Sequence, residues 1–208
     1  MRIVDDGGLE LGANQEGNIV VKLPLPPGTL ATLWHNEERF VKSYMKTFPG
    51  YYETSDGGYI DDDGYVYVMG RIDDVINIAG HRLSTGAMEE VIATHPDVAE
   101  CAVIGTDDQL KGQLPVGLFV LKSGVERSNE EVKAELVKLV REKIGAIACF
   151  HEATSVARLP KTRSGKILRG TMRSIAAGRE YRMPSTIDDP TILDEITDTL
   201  TDMGFPHK

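Results

Sequence analysis

Cysteine is scarce in this chain. The two present, Cys101 and Cys149, lack metal-ligand spacing and offer no disulfide framework, so a stapled secreted scaffold is excluded. Cys101 sits in an apolar run and reads as a buried core residue, which fits a reducing compartment. No apolar segment is long enough to span a bilayer, so no membrane partner is expected. Met1 is not followed by a signal-peptide pattern. The expected location is the cytoplasm, with the mitochondrial matrix as the alternative. An excess of positive charge is also missing. The net charge of −9 argues against general nucleic-acid binding. Repeats and low-complexity tracts are absent.

What remains is enough for folded domains. The 208 residues are 41% hydrophobic and 26% charged, which allows a core and a soluble surface in one medium domain or two small ones. Residues 1–72 read as β-rich. They hold a strand over Asn18–Leu23, an Asn36-capped helix through Tyr44 and a strand over Tyr51–Thr54. A hairpin of Gly58–Ile60 and Tyr65–Met69 follows, turning at Asp61-Asp62-Asp63-Gly64. Residues 73–208 alternate between the two periods. Val75–Ile78, Val98–Ile104, Val116–Leu121 and Thr154–Val156 read as strands. Helices are expected from Ser84 or Thr85 to His95-Pro96, from Ser128 with Val132, Leu136, Leu139 and Val140 on one face, and near Leu168–Ala177. The fold class is α+β: a β-rich part, then a small module of sheet and helices. Residues 185–208 form an acidic tail, helical around Thr191–Leu200.

The segment Leu159-Pro160-Lys161-Thr162-Arg163-Ser164-Gly165-Lys166-Ile167 puts a lysine on a short polar loop before a helix. A phosphate-binding P-loop is excluded, because Pro160 stands where the first glycine is required and Ile167 where Ser or Thr is required. Taken alone, the loop is either a solvated basic turn or an anion contact. It opens a basic strip of Arg158, Lys161, Arg163, Lys166, Arg169, Arg173, Arg179 and Arg182, relieved only by Glu180. The strip fits a small polyanionic ligand, or a basic helix face paired with acidic neighbours.

Three further segments bear on that choice. Thr54-Ser55-Asp56-Gly57-Gly58 places a carboxylate after a strand, able to accept hydrogen bonds from a ribose diol or to serve as an ordinary turn residue. Gly70-Arg71-Ile72-Asp73-Asp74-Val75-Ile76-Asn77 and Ala79-Gly80-His81-Arg82-Leu83, the latter read as entering a helix, supply arginines suited to phosphate or to surface ion pairs.

In order along the chain, TSDGG, an acidic hairpin, YVYVMGRIDDVINIAGHRLS, an amphipathic helix, VREKIGAIA and LPKTRSGKILR together resemble the adenylate-forming (AMP-binding) superfamily. The likeness is greatest to short-chain acyl-CoA synthetases, the acetate and propionate ligases, and it covers essentially the whole chain. The resemblance implies that Asp56 binds the ATP ribose and that Arg71 and Arg82 approach the nucleotide. It implies that Asp73 is a hinge between a large N-terminal and a mobile C-terminal domain, and that Lys166 is the adenylation lysine. Ala79, Gly80 and Arg141 then match CoA-contacting positions. Ala93, His95 and Val98 fall where some members hold a metal, though a helix-ending histidine before Pro96 is the competing reading. Gly145–Phe150 departs from the pattern, since relatives often carry prolines there.

The implied cofactors are ATP, CoA and Mg2+, with a small carboxylate as substrate and a lysine acetyltransferase or deacetylase as a regulatory partner acting on Lys166. The resemblance further implies that the chain is a C-terminal piece of a longer ligase, inactive by itself. An adenylation domain loading a carrier protein and a non-catalytic nucleotide-binding module remain the alternatives.

Overall fold

The computed structural model describes residues 1–206, and at Asp73 nothing of the side chain. The chain divides into two compact units, Met1–Asp73 and Asp74–Lys208.

The first unit is a four-stranded antiparallel sheet of β1 (Arg2–Val4), β2 (Gly17–Lys22), β3 (Tyr51–Ile60) and β4 (Val66–Arg71), in that spatial order. Its single helix, α1 (Glu37–Tyr44), begins where the Asn36 side chain accepts the Arg39 N–H at 3.2 Å. Val4, Val20 and Phe48 form a small core. The β3–β4 turn follows from Asp61, whose Oδ1 accepts the N–H groups of Asp63 and Tyr65, and from Gly64 at φ 87°.

Two sequence expectations change here. Tyr51–Thr54 and Gly58–Ile60 are one strand rather than two, because register shifts between Ile19 and Val20 and between Gly57 and Gly58 absorb the extra residues without ending it. β1 had no sequence signal, being three residues long.

The second unit has a five-stranded sheet. Its strands are β5 (Val75–Ile78), β6 (His81–Ser84), β7 (Val98–Asp108), β8 (Gly112–Leu121) and β9 (Glu152–Ser155). The order is β6-β5-β8-β7, with β9 parallel to β8. β7 and β8 form a long hairpin of ten residue pairs from Val98–Leu121 to Asp108–Gly112, with one register shift between Val98 and Glu100.

Alternation along these strands feeds two cores. Val103 and Phe119 face α2 (Thr85–Ala93) and α3 (Asn129–Lys143), where Met88, Ile92, Val132, Leu136 and Val140 are buried. Ala102, Ile104, Val116 and Leu118 face the opposite way, toward α4 (Arg169–Ala176) and α5 (Ile192–Asp202). The acidic segment read as a tail therefore contributes to a core. Ile192, Leu193, Ile196 and Leu200 are buried, while Asp194, Glu195, Asp198 and Asp202 face water. The helix starts are well specified. Ser84 caps α2, and Ser128 with Glu131 forms a complete capping box on α3.

Ala79–Leu83 leads into α2 as expected, but through a strand that the sequence did not announce. Ala79 (φ 50°) and Gly80 (φ 90°) make a two-residue turn with both central residues left-handed, so His81–Ser84 doubles back as β6 against β5. The Asn77 side chain accepts the Gly80 N–H at 3.0 Å and completes the reversal. Alanine in place of the usual Asn or Asp hid the signal. Cys101 is half-buried rather than sealed in the core, and desolvation pushes its thiol up to about 11, which makes it unreactive near neutrality.

Candidate functional site

In the first unit, Asp56 and Arg71 sit directly opposite each other on β3 and β4. The geometry behind this is local. Ser55 adopts φ 64°, the Thr54 hydroxyl donates to the Ile19 carbonyl at 2.7 Å, and the Asp56 N–H donates back to that hydroxyl at 3.1 Å. The strained serine re-aims the strand at the aspartate, as bulges do beside binding sites. Residues 56 and 71 are thus cross-strand neighbours on β3 and β4.

Arg82 lies in the second unit, paired in register with Asn77 on the β5–β6 hairpin. The Ala79–Gly80 turn is exposed at the tip of that hairpin, and the Ala79 N–H donates to the Lys111 carbonyl at 2.8 Å. Lys111 belongs to the β7–β8 turn and lines a cleft of about 240 Å³ together with Arg141, Ala146, Cys149 and His151. The structure therefore links Ala79, through its N–H, and Arg141, through the shared cleft, to one lysine that sequence reasoning missed. No pattern in sequence could have marked Lys111, since a tertiary contact alone brings it there. The Gly145–Phe150 departure forms the floor of this cleft as a short 3-10 turn, closed by Cys149 at φ 47°. The Lys111 ammonium lies 3.1 Å from the Cys149 sulfur.

Lys166 stands elsewhere. Its loop is a tight reversal in which the Thr162 N–H donates to the Lys166 carbonyl, the Gly165 N–H to the Thr162 carbonyl (both 2.8 Å), and the Lys166 N–H to the Thr162 hydroxyl at 3.1 Å. Gly165 at φ 83° permits the turn. The backbone is held while the Lys166 side chain is exposed, and among the described residues it has no carboxylate partner. The Lys161 ammonium pairs with Glu100 near the Val98–Leu121 end of the β7–β8 hairpin. Ala79 and Lys111 sit at the Asp108–Gly112 end. Glu100 and Asp108 are eight residue steps apart along β7, a distance of roughly 25 Å.

Much of the basic strip is consumed structurally. Arg158 binds Asp189 and Glu195, Lys161 binds Glu100, Arg179 binds Asp107, and Arg169 makes a fork on Glu89 with contacts of 2.8 and 2.6 Å. The paired-face alternative is the right one for these four. The Arg169–Glu89 pair joins α4 to α2 around the edge of β7, where Glu89 also accepts the Val103 N–H at 2.8 Å. Both side chains are largely shielded from water. Glu89→Ala should therefore destabilise the second unit by about 2–3 kcal/mol, through an orphaned guanidinium and an unsatisfied amide. Urea unfolding measures this directly.

His95 is 6% exposed and fully committed. Its Nδ1 accepts the Asp97 N–H at 3.2 Å, so Nε2 carries the proton and donates to Glu135 at 2.8 Å. Its carbonyl accepts the Val98 N–H. The imidazole of His95 thus offers no lone pair to a metal, and among the described residues no group of three His, Cys, Asp or Glu is placed to hold one. Ala93 and Val98 could offer only carbonyl oxygens. His95 here closes the end of α2, and the side chains do not fit a resident Mg2+.

The Arg127 fork on Glu135, seconded by His95, holds the Glu135 carboxyl at about 2, well below its ordinary 4.5. A depressed folded-state value means the contribution is complete above 4.5 and is lost as pH falls toward 2. Urea midpoints of the wild type and Glu135→Gln should differ at neutral pH and converge through that acid window.

Residues 87–166 match the AMP-binding enzyme C-terminal domain family. The chain is 52% identical to the mitochondrial acyl-CoA synthetase short-chain family member 3 of Mus musculus, over 95% of this chain and 29% of that protein. It is 44% identical to the propionate–CoA ligase of Escherichia coli, over 91% of this chain and 31% of that protein. Among solved structures, an anthranilate CoA ligase in complex with anthranoyl-AMP superposes with a TM-score of 0.65 at 31% identity, over 83% of this chain and 32% of that one. An amide bond synthetase from Marinactinospora thermotolerans gives 0.64 at 27% identity, over 83% and 33%. Residues 87–166 carry the AMP-binding enzyme C-terminal domain, and nearly the whole chain is similar to acyl-CoA synthetases. The chain spans about three-tenths of the length of the curated relatives it matches.

Proposed function

We propose that the protein containing this chain is an AMP-forming ligase that converts a short carboxylate, ATP and CoA to acyl-CoA, AMP and pyrophosphate. In the first step a carboxylate oxygen attacks the α-phosphorus of ATP and pyrophosphate leaves. In the second the CoA thiol attacks the acyl carbonyl and AMP leaves.

The observation that carries this reading is the separation of the Lys166 loop and the Ala79–Gly80 turn to opposite ends of one hairpin. Two elements tied to opposite ends of a hairpin span roughly 25 Å long cannot both reach one reacting centre at once. They suit two steps taken in succession, with the second unit reoriented between them and the backbone near Asp73 absorbing the change. In the first step the Lys166 ammonium bridges carboxylate and α-phosphate oxygens and offsets the charge that builds there. Asp56 accepts from the ribose hydroxyls, with Arg71 and Arg82 toward the phosphates. In the second step the Ala79–Gly80 turn flanks the pantetheine arm. The Lys111–Arg141 cleft beside it favours free CoA over a carrier protein, because its cations suit nucleotide phosphates. Mg2+ arrives with ATP in this scheme, and no step is assigned to it. Acetylation of Lys166 removes its cation and closes the first step, the point at which a lysine acetyltransferase and deacetylase act.

The test is pyrophosphate release by the full-length protein across a series of carboxylates. Acetate or propionate should support CoA-dependent turnover. Turnover only with a carrier protein, or none with any short acid, contradicts the proposal.

A further inference from the structure

The family match ends at Lys166, but the structure that holds this lysine continues beyond it. The segment 186–188 lies alongside the lysine loop through an isolated antiparallel bridge at Ile187. The Arg163 N–H donates to the Thr186 carbonyl and the Asp188 N–H to the Lys161 carbonyl, both at 2.9 Å, and Thr162 bridges Ile187 in antiparallel fashion. On its other side Thr162 holds the Lys166 carbonyl, and Lys161 bridges Ile167. The loop is thus the middle of a small ribbon whose outer member comes from far along the chain.

The outer member is itself anchored twice. Ile187 is buried against α4 and α5. Asp189 accepts from the Thr191 N–H at 3.0 Å and its hydroxyl at 2.7 Å at the start of α5, and also from Arg158. Arg158 precedes the lysine loop by one residue from Leu159, and its second terminal nitrogen donates to Glu195 at 2.6 Å and to the Thr191 hydroxyl at 3.0 Å. One guanidinium therefore ties the entrance of the loop to the segment that lines it.

We propose that Arg158, Asp189 and Glu195 are positioning residues for Lys166, acting through the 186–188 segment, an assignment that rests on the adenylation role given to Lys166 above. The clamp is a surface device, its side chains 43%, 42% and 48% exposed. Exposed pairs of this kind contribute little to global stability. Orientation is a different matter, since a misplacement of about 1 Å in a group at the reacting centre can cost up to about a hundred-fold in rate. The sequence beyond Lys166 thereby acquires a function besides filling the core.

The experiment uses the full-length protein carrying Asp189→Asn with Glu195→Gln, and separately Arg158→Lys, which keeps the charge and loses the fork. In the double variant kcat for ATP–pyrophosphate exchange should fall about ten- to a hundred-fold. KM for ATP, the melting temperature and thioester formation from supplied acyl-adenylate should stay at wild-type values. Amide hydrogen exchange at Arg163 and Lys166 should accelerate, and Arg158→Lys should fall between. Wild-type exchange kinetics together with wild-type loop protection overturn the proposal, as does an equal loss in both half-reactions with a lower melting temperature. Lys166→Ala is run in parallel. If that variant adenylates normally, the role of Lys166 fails and the catalytic part of this inference with it, while loop protection in the double variant still reports whether the clamp holds the loop. If Lys166→Ala is inactive and the double variant is not, only the positioning inference fails.

Discussion

Lys166→Ala in the full-length protein should lower ATP–pyrophosphate exchange by about a hundred- to a thousand-fold, the scale at which one preorganised charge-stabilising donor is lost. Thioester formation from supplied acyl-adenylate should change little. The asymmetry follows from position. The ammonium is exposed on a backbone-locked loop and has no carboxylate partner among the described residues, so its removal leaves no buried charge and no orphaned donor in the fold. The loss is therefore chemical and not structural, and the melting temperature should be unchanged. Lys161 and Arg169 on the same strip make a useful contrast. Both are tied to carboxylates, and removal of the shielded Arg169 should be felt first in stability. A fall in both half-reactions by the same factor would mean that Lys166 supports the fold or binds a shared ligand.

The second large effect is expected at Gly58. It follows the bulge in β3, and a Cβ placed there runs into the Tyr67 carbonyl and lies 2.9 Å from the Ile19 side chain. The obstruction is backbone and has no rotamer through which to escape. Gly58→Ala should destabilise the first unit by about 3 kcal/mol. It should also disturb the pairing that sets Asp56 opposite Arg71, so nucleotide affinity should fall with stability. Thermal unfolding followed together with ATP binding reads both. Gly64, in the neighbouring turn, meets nothing within 4 Å, and its substitution should cost only the strain of its φ of 87°. A Gly58→Ala protein as stable as the wild type would place the bulge elsewhere.

How far this was legible in sequence depended on how local each signal is. Caps and turns were readable because they are settled within four residues, as Asn36, Ser84, Ser128 and the Asp61–Gly64 turn illustrate. β6 was not, since its only mark is a left-handed Ala79 where Asn would have announced the turn. The α5 segment read as a tail because its acidic face dominates composition, whereas its four buried apolar side chains acquire meaning only against α4. The candidate site divides in the same way. Asp56, Arg71, Arg82 and Lys166 stood out through a family resemblance. Lys111 and the Arg158 clamp depend on contacts across 30 or more residues, which no local pattern carries. The basic strip misled for that reason as well, for its acidic partners lie at Glu89, Glu100 and Asp107 in one direction and at Asp189 and Glu195 in the other.

The central claim is that the two ends of the β7–β8 hairpin serve successive steps. The most direct measurement places Gly80→Leu beside Lys166→Ala and records both half-reactions in each full-length variant. Gly80 has open space around it, so the leucine meets no neighbour and costs only the strain of a φ of 90° in the turn. The expected result is reciprocal: Lys166→Ala loses adenylation and keeps thioester formation, while Gly80→Leu keeps adenylation and loses thioester formation. Loss of the same half-reaction in both variants would contradict it.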